Sequence, residues 1–211
     1  EKETIALHEA GHATISWFLQ YANPLIKVTI VPRGRALGAA WYLPEERQIT
    51  TKEQMLDEMC ATLGGRAAEE IFTGHISSGA LNDLERVTKQ AYGMIAYLGM
   101  SEELPNLCYY NNDEYNFNKP YSDDTAQLID KEVKKMIAEQ YERAKSLLLK
   151  HQEGHAELAK VLVEKEVIFA EDVEKIFGKR PWTSRTEELL EMNNELPGDE
   201  HTVDQSLPED I

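Results

Sequence analysis

Apolar and polar positions at the start of the chain follow the period of an α-helix. Residues 4–21 are mostly apolar and predict a core helix, which Asn23-Pro24 ends because proline disfavours helical backbone in the residue before it. Residues 26–30 then alternate apolar and polar side chains and predict a half-buried strand, and residues 36–43 predict a second strand. Since only a short turn separates the two strands, we expect them to form a hairpin.

The rest of the chain has the spacing of helices. Thr51 and Gln54 match a capping box, and the helix that they begin continues to Ile71 with an interruption at residues 64–66. Further helices are predicted over residues 82–98, 122–150, 156–164 and 171–177. The pattern therefore predicts a mainly α-helical domain with a small β-hairpin or sheet after the first helix.

The composition changes after residue 182. Residues 183–211 contain nine acidic side chains and one basic side chain, together with two prolines and a glycine, which is typical of a solvated, disordered segment. We therefore predict one domain over residues 1–182 and an acidic, disordered C-terminal tail over residues 183–211. The chain begins at Glu1 and enters a helix almost at once, so we expect it to be part of a longer protein.

Charge and cysteine content exclude several classes of function. A formal net charge of −16 argues against binding of nucleic acid, whose phosphates would be repelled. No apolar run in this sequence approaches the ~20 residues of a membrane-spanning helix, and we find no signal-peptide pattern in it. Two cysteines, Cys60 and Cys108, do not make a disulfide framework or a cysteine-based zinc site, and we expect both to be buried thiols.

The first predicted helix contains His8-Glu9-Ala10-Gly11-His12. Positions i and i+4 share one face of a helix, so His8 and His12 can present two ring nitrogens to one metal ion. Glu9 lies about 100° round the helix, where it can take a proton from a metal-bound water. Gly11 costs about 1 kcal/mol relative to alanine, which is reasonable if another segment packs closely beside the site. Because this H-E-x-x-H arrangement lies in a core helix, a zinc hydrolase is favoured over a chance match.

A catalytic zinc site needs three protein ligands and an open position, so a third ligand must come from elsewhere. The candidates are His75, Asp83, Glu69, Glu70 and the pair His151 and His155. His75 lies in a predicted loop, and residues 151–155 are expected to be an exposed linker. Glu69 or Glu70 could approach the metal or orient a histidine, whereas Asp83 stands at a helix start, where it could simply cap the helix. Spacing alone does not choose between Asp83 and Glu70.

The second predicted strand is poor in side-chain bulk at residues 38–40, where Gly38 is followed by two alanines. Glycine in a strand often marks close approach by another backbone. One interpretation is an edge to which an extended peptide adds as a further strand. Equally, the small residues could fit beneath a neighbouring helix.

Three segments, over residues 8–13, 63–70 and 78–84, resemble in this order the peptidase domain of the FtsH family. The resemblance covers roughly residues 1–180. It implies a helical, zincin-like peptidase domain with one zinc ion per chain. The ligands that it implies are His8, His12 and Asp83, with Glu9 as the catalytic base, and the sequence matches the family at all four positions.

Members of that family are membrane-anchored, ATP-dependent zinc metalloproteases of bacterial inner membranes, mitochondria and chloroplasts. The resemblance implies a homohexamer, and an ATPase module and transmembrane segments in the same full-length chain. ATP would bind only that module, since this sequence contains no P-loop. The implied substrates are unfolded or membrane proteins.

For location, we expect the bacterial inner membrane with the peptidase domain facing the cytoplasm, and the mitochondrial inner membrane is the alternative. Two rival hypotheses are a free-standing zincin peptidase and an inactive, zinc-stabilised helical assembly module. A closed shell of four protein ligands would favour the inactive module.

Overall fold

The computed structural model describes residues 1–32, 37–45, 48–109, 119–184 and 187–188. The protein is mostly helical with one small antiparallel sheet. The elements in chain order are α1 (Lys2–Phe18), β1 (Leu25–Thr29), β2 (Ala39–Tyr42), α2 (Lys52–Thr62), α3 (Gly64–Thr73), α4 (Leu81–Tyr92), α5 (Asp123–Lys150), α6 (Gln152–Lys165), β3 (Val167–Phe169) and α7 (Ala170–Phe177).

The sheet has three strands in the order β2-β1-β3. Val28 of β1 pairs with Ala40 of β2 on one side and with Ile168 of β3 on the other, and both pairings are antiparallel. The predicted hairpin of β1 and β2 is confirmed. The third strand was not predicted, because three residues between two helices are too short to show an alternating pattern.

Helix α1 lies between two hydrophobic clusters. Ile15 and Leu19 belong to a cluster with residues of α2, α3, α4 and α5, whereas Ala13 and Trp17 belong to a second cluster with the sheet and α6. The helix is therefore buried along most of its length from Ala6 onward. Polar side chains on this helix are held inside the domain, and we expect them to be rigid.

Glycine allows α1 and α3 to cross in close contact. A Cβ atom on Gly11 would lie 2.7 Å from the Cβ of Ala68 and would overlap the carbonyl oxygen of Gly64. The prediction that another segment packs closely beside Gly11 is confirmed, and that segment is α3. The predicted interruption is also confirmed, since α2 ends at Thr62 and α3 begins at Gly64.

Helix ends follow the side-chain signals in most places. Thr51 and Gln54 form the predicted capping box, and the Ser122 hydroxyl caps α5. Helix α4 ends at Tyr92, earlier than predicted, and the chain continues as a π-helical turn over Gly93–Tyr97. No helix in the described ranges combines the length and the apolar run that crossing a bilayer requires.

Two expectations about individual residues were wrong. Cys60 is buried, but Cys108 is exposed, because the chain around it lies at the surface beyond the π-helical turn. Residues 151–155 do not form an exposed linker, since α6 begins at Gln152 and His155 is fully buried. Of the predicted acidic tail, the described part includes only residues 183, 184, 187 and 188.

Candidate metal centre

Helices α1 and α4 bring three potential ligand side chains to one point. Nε2 of His8 lies 3.1 Å from Nε2 of His12 and 3.2 Å from Oδ2 of Asp83. The remaining distance, from Nε2 of His12 to Oδ2 of Asp83, is 3.3 Å. Among the described residues, these three are the only group of three or more histidine, cysteine, aspartate or glutamate side chains whose donor atoms lie close enough together to hold one metal ion. Both histidines are 8% exposed.

The triangle of donor atoms is close to the size that a zinc ion requires. Zinc bonds to nitrogen and oxygen are about 2.0–2.2 Å, so two ligands of a tetrahedral site lie about 3.3–3.5 Å apart. The distances among His8, His12 and Asp83 are 3.1–3.3 Å. Two imidazoles and one carboxylate are also a donor set that zinc accepts. The residues therefore fit a zinc ion that keeps one position open.

The outer nitrogens of both imidazoles are engaged by acceptors. His8 Nδ1 donates to Oε1 of Glu69 at 2.8 Å, and His12 Nδ1 donates to the carbonyl oxygen of Ala61 at 3.0 Å. Because a carboxylate and a carbonyl only accept, each Nδ1 carries a proton, and each Nε2 faces the centre, where either a proton or a cation can bind to it. Such outer partners fix the tautomer and the ring orientation of metal-binding histidines. Glu69 is 1% exposed, so this partner of His8 is held rigidly.

The electrostatics of the centre favour a positive charge. Burial alone would lower the pKa of His12, but the hydrogen bond and the charge of Asp83 outweigh it and raise the pKa to about 9. Burial would raise the pKa of Asp83, yet its hydrogen bonds to the two histidines hold that pKa well below its usual value. A pocket that binds a proton in this way is suited to a cation.

Glu9 lies beside the three donor atoms but is not bound to them. Its side chain is 7% exposed, and burial raises its pKa, although the charges of His8 and His12 act in the opposite direction. Among the described residues, no side chain or backbone group hydrogen-bonds to its carboxylate. A buried carboxylate with a raised pKa is suited to take up a proton.

Gly38 borders the carboxylate of Glu9. A Cβ atom at this position would lie 2.6 Å from Oε1 of Glu9. Gly38 precedes β2, which begins at Ala39, and its close neighbour is this side chain of α1. The sequence had left open close approach by another backbone and a fit beneath a neighbouring helix. The absence of a side chain at Gly38 therefore leaves room for Glu9 at the edge of the sheet.

The other candidate ligands lie away from this centre. Glu70 receives a hydrogen bond from the hydroxyl of Tyr141 and lies 3.8 Å from Nζ of Lys145. His75 is exposed, and His155 donates from Nε2 to the carbonyl oxygen of Leu7 at 3.0 Å. The sequence left open whether Glu69 or Glu70 orients a histidine, and the structure shows that Glu69 does so.

Comparison with known proteins identifies the family of the chain. A profile of peptidase family M41 matches residues 1–176. An ATP-dependent zinc metalloprotease FtsH of Parabacteroides distasonis is 66% identical over 200 residues, which cover 94% of this chain and 29% of the relative. An ATP-dependent zinc metalloprotease, FTSH 3, mitochondrial, of Arabidopsis thaliana is 50% identical over 87% of this chain and 23% of its own length.

A third relative is the mitochondrial inner membrane m-AAA protease component AFG3L2 of Mus musculus. It is 45% identical over 100% of this chain and 26% of its own length. The chain therefore spans between 23% and 29% of the length of these three relatives.

Proposed function

Since the chain belongs to peptidase family M41 and is a peptidase domain of the FtsH type, we propose that it is the zinc-dependent endopeptidase part of an ATP-dependent protease. His8, His12 and Asp83 would hold one zinc ion per chain, and Glu9 would act as the catalytic base. The observation that carries this proposal is the convergence of three donor atoms, all within 4.8 Å of one another, beside a buried carboxylate that has no hydrogen bond in the described structure.

The chemistry divides between the cation and Glu9. When bound, zinc supplies a Lewis acid that polarises a carbonyl oxygen and makes a water molecule acidic near neutral pH. Glu9 accepts a proton from the attacking water as the water oxygen bonds to the carbonyl carbon of the substrate. The same carboxyl group then delivers the proton to the amine nitrogen as the carbon–nitrogen bond breaks. The raised pKa of Glu9 suits both steps, because it makes the carboxylate a stronger base than an exposed glutamate.

Glu69 and Ala61 prepare the site for this reaction. By accepting the Nδ1 protons of His8 and His12, they keep both Nε2 lone pairs available to a cation. The close contact of α1 with α3 at Gly11 supports the same arrangement, because it lets Glu69 reach His8 from α3. We propose that this helical domain is zincin-like, because two histidines of an H-E-x-x-H helix face one metal position.

Substrate would bind as an extended strand along β2. No other described strand pairs with the outer edge of β2, and Gly38, just before that strand, lies beside Glu9. A peptide added to this edge would be held by backbone hydrogen bonds, which make side-chain preference loose. This mode suits unfolded polypeptide as the substrate class.

The full-length protein would contain more than this domain, because the matched chain covers only 23–29% of the length of these relatives. We propose that it carries an ATPase module and transmembrane segments in the same chain and assembles as a homohexamer. ATP would act only through that module. The proposed location is a bacterial inner membrane, with a mitochondrial inner membrane as the alternative.

The experiment that tests the function is hydrolysis of an unfolded protein such as reduced casein by this chain. We expect slow or partial cleavage without ATP, complete inhibition by a zinc chelator, and recovery when zinc is restored. Cleavage that persists after the metal has been removed and its absence verified would contradict the proposal.

A further inference from the structure

Ser77 is an exposed loop residue whose polar groups all have partners inside the protein. Its backbone N–H donates to Oε2 of Glu69 at 2.8 Å, and its hydroxyl donates to Oε1 of Glu69 at 2.9 Å. Its carbonyl oxygen accepts from Nη2 of Arg66 at 2.9 Å, and its hydroxyl oxygen accepts from the N–H of Gly79 at 3.1 Å. Protein groups, rather than water alone, therefore fix the position of Ser77.

The carboxylate that Ser77 binds also orients a candidate zinc ligand. Oε1 of Glu69 accepts from Nδ1 of His8 at 2.8 Å, so this oxygen contacts both His8 and the Ser77 hydroxyl. Glu69 thus ties α1 to the loop that follows α3.

That loop leads directly to the third candidate ligand. Ser77 is the N-cap of a 3₁₀ turn over Ser78–Ala80, and α4 begins at the next residue. Asp83 lies in the first turn of α4. Because α4 continues the capped turn without a break, the position of Ser77 sets where the helix starts and hence where Asp83 stands.

We propose that Ser77 is a positioning residue of the metal centre. Through Glu69 it holds the segment that carries Asp83 in place against His8, so that both side chains meet at one point. The proposal rests on the proposed zinc site. If Ser77 were only a helix cap, its replacement would lower stability without changing how the site binds a metal.

A set of variants separates the hydroxyl from the shape of the side chain. The backbone of Ser77 is extended, with φ −116° and ψ 168°, so both threonine and valine can occupy this position. Ser77→Thr keeps the hydroxyl. Ser77→Val introduces a side chain with the shape of threonine but without the hydroxyl. Ser77→Ala removes the hydroxyl alone, and Ser78→Ala is the matched control, because the described structure gives the Ser78 hydroxyl no hydrogen bond.

Two measurements report on the site itself. Zinc affinity is measured by competition with a chelator, and the visible spectrum of the Co²⁺-loaded chain reports the number and geometry of the ligands. We expect Ser77→Ala and Ser77→Val to bind zinc about 10- to 100-fold more weakly and to show an altered cobalt spectrum. Ser77→Thr and Ser78→Ala should match the wild-type chain in both measurements. The melting temperature in excess chelator should fall by no more than about 4 °C for any variant.

Equal zinc affinity and equal cobalt spectra for the threonine and valine variants would overturn the proposal, and this pair decides the question even if Ser77→Ala fails to fold. Failure of the wild-type chain to bind zinc would instead refute the metal site itself.

Discussion

The carboxylate of Glu69 lies 2.8 Å from Nδ1 of His8, on the side of the imidazole opposite the atom that faces His12 and Asp83. A carboxylate in this position fixes the tautomer of the ring and makes its inner nitrogen a better electron donor. Glu69 lies in α3 and is almost completely buried. It contacts His8 of α1 and Ser77 of the loop after α3, so the packing of these segments determines the position of the His8 ring. Glu69 therefore fixes the orientation of the His8 ring.

Replacement of Glu9 separates metal binding from catalysis. Glu9→Gln keeps the size of the side chain but removes its ability to take a proton, so we expect peptidase turnover to fall by about 10²- to 10⁴-fold. Zinc content should stay at that of the wild-type chain, because no donor atom is lost. The matched control is Glu3→Gln, on the exposed first turn of the same helix. Normal turnover by the Glu9 variant would exclude Glu9 as the base.

Replacement of Asp83 tests the third ligand. Asp83→Asn removes the negative charge that Nε2 of both histidines faces, so we expect zinc affinity to fall by more than about 100-fold and turnover to be lost. Glu70→Gln is the matched control, because the Glu70 side chain contacts Tyr141 and Lys145 instead. Zinc affinity is measured by chelator competition in both variants. Loss of the metal in the Glu70 variant alone would show that the ligand assignment is wrong.

Two glycines border different parts of the centre and predict different defects. A Cβ atom on Gly65 would overlap the imidazole of His8, whereas one on Gly38 would press on the Glu9 carboxylate. Gly65→Ala should therefore weaken zinc binding. Gly38→Ala should leave zinc binding unchanged but lower kcat by about 100-fold, since a displacement of about 1 Å at a catalytic group has an effect of that size.

Zinc affinity and kcat measured on both glycine variants test this difference. A circular dichroism melting curve for each variant controls for loss of the fold. The same pattern of defects in both variants would contradict the geometry described here.

Burial of His155 predicts a loss of stability in acid. His155 is fully buried against Phe72, its Nδ1 has no partner among the described residues, and burial lowers its pKa to about 4. Below pH 6.5 the unfolded chain takes up a proton at this histidine that the folded protein binds only near pH 4. The contribution of His155 to the free energy of unfolding is thus complete above pH 6.5 and is lost as the pH falls. The loss between pH 7 and pH 5 is about 2 kcal/mol.

Urea unfolding of the wild-type chain and of His155→Phe at both pH values measures that contribution. From pH 7 to pH 5, the free energy of unfolding of the variant should fall by about 2 kcal/mol less than that of the wild-type chain. Replacement of the exposed His75 by phenylalanine is the control and should keep the wild-type dependence. An unchanged pH dependence in the His155 variant would show that this histidine is not the cause.

Local patterns predicted much of the fold and two of the three candidate ligands. The helical period placed His8 and His12 on one face of α1, and the side chains of Thr51 and Ser122 predicted the starts of α2 and α5. Each of these inferences depends on residues that lie within one or two helical turns of one another. Physical rules for such short distances along the chain are strong enough to be applied without tertiary structure.

Features that depend on distant parts of the chain could not be predicted from spacing. Spacing alone could not choose between Asp83 and Glu70 as the third ligand, because the choice depends on how α3 and α4 pack against α1. The resemblance to a known family favoured Asp83. The sequence predicts a linker at His155, because the burial of this residue arises only when α6 packs on α1 and Phe72. The third strand was missed for the same reason, because β3 is stable only through its pairing with β1.

The central claim is that side chains of α1 and α4 hold one zinc ion and leave a position open for water. A crystal structure of the zinc-loaded chain, with anomalous diffraction measured at the zinc absorption edge, tests it most directly. We expect one zinc ion per chain, about 2.0–2.2 Å from Nε2 of His8, Nε2 of His12 and a carboxylate oxygen of Asp83, with a solvent molecule as the fourth ligand. A zinc ion enclosed by four protein ligands, or one bound away from Asp83, would contradict the account.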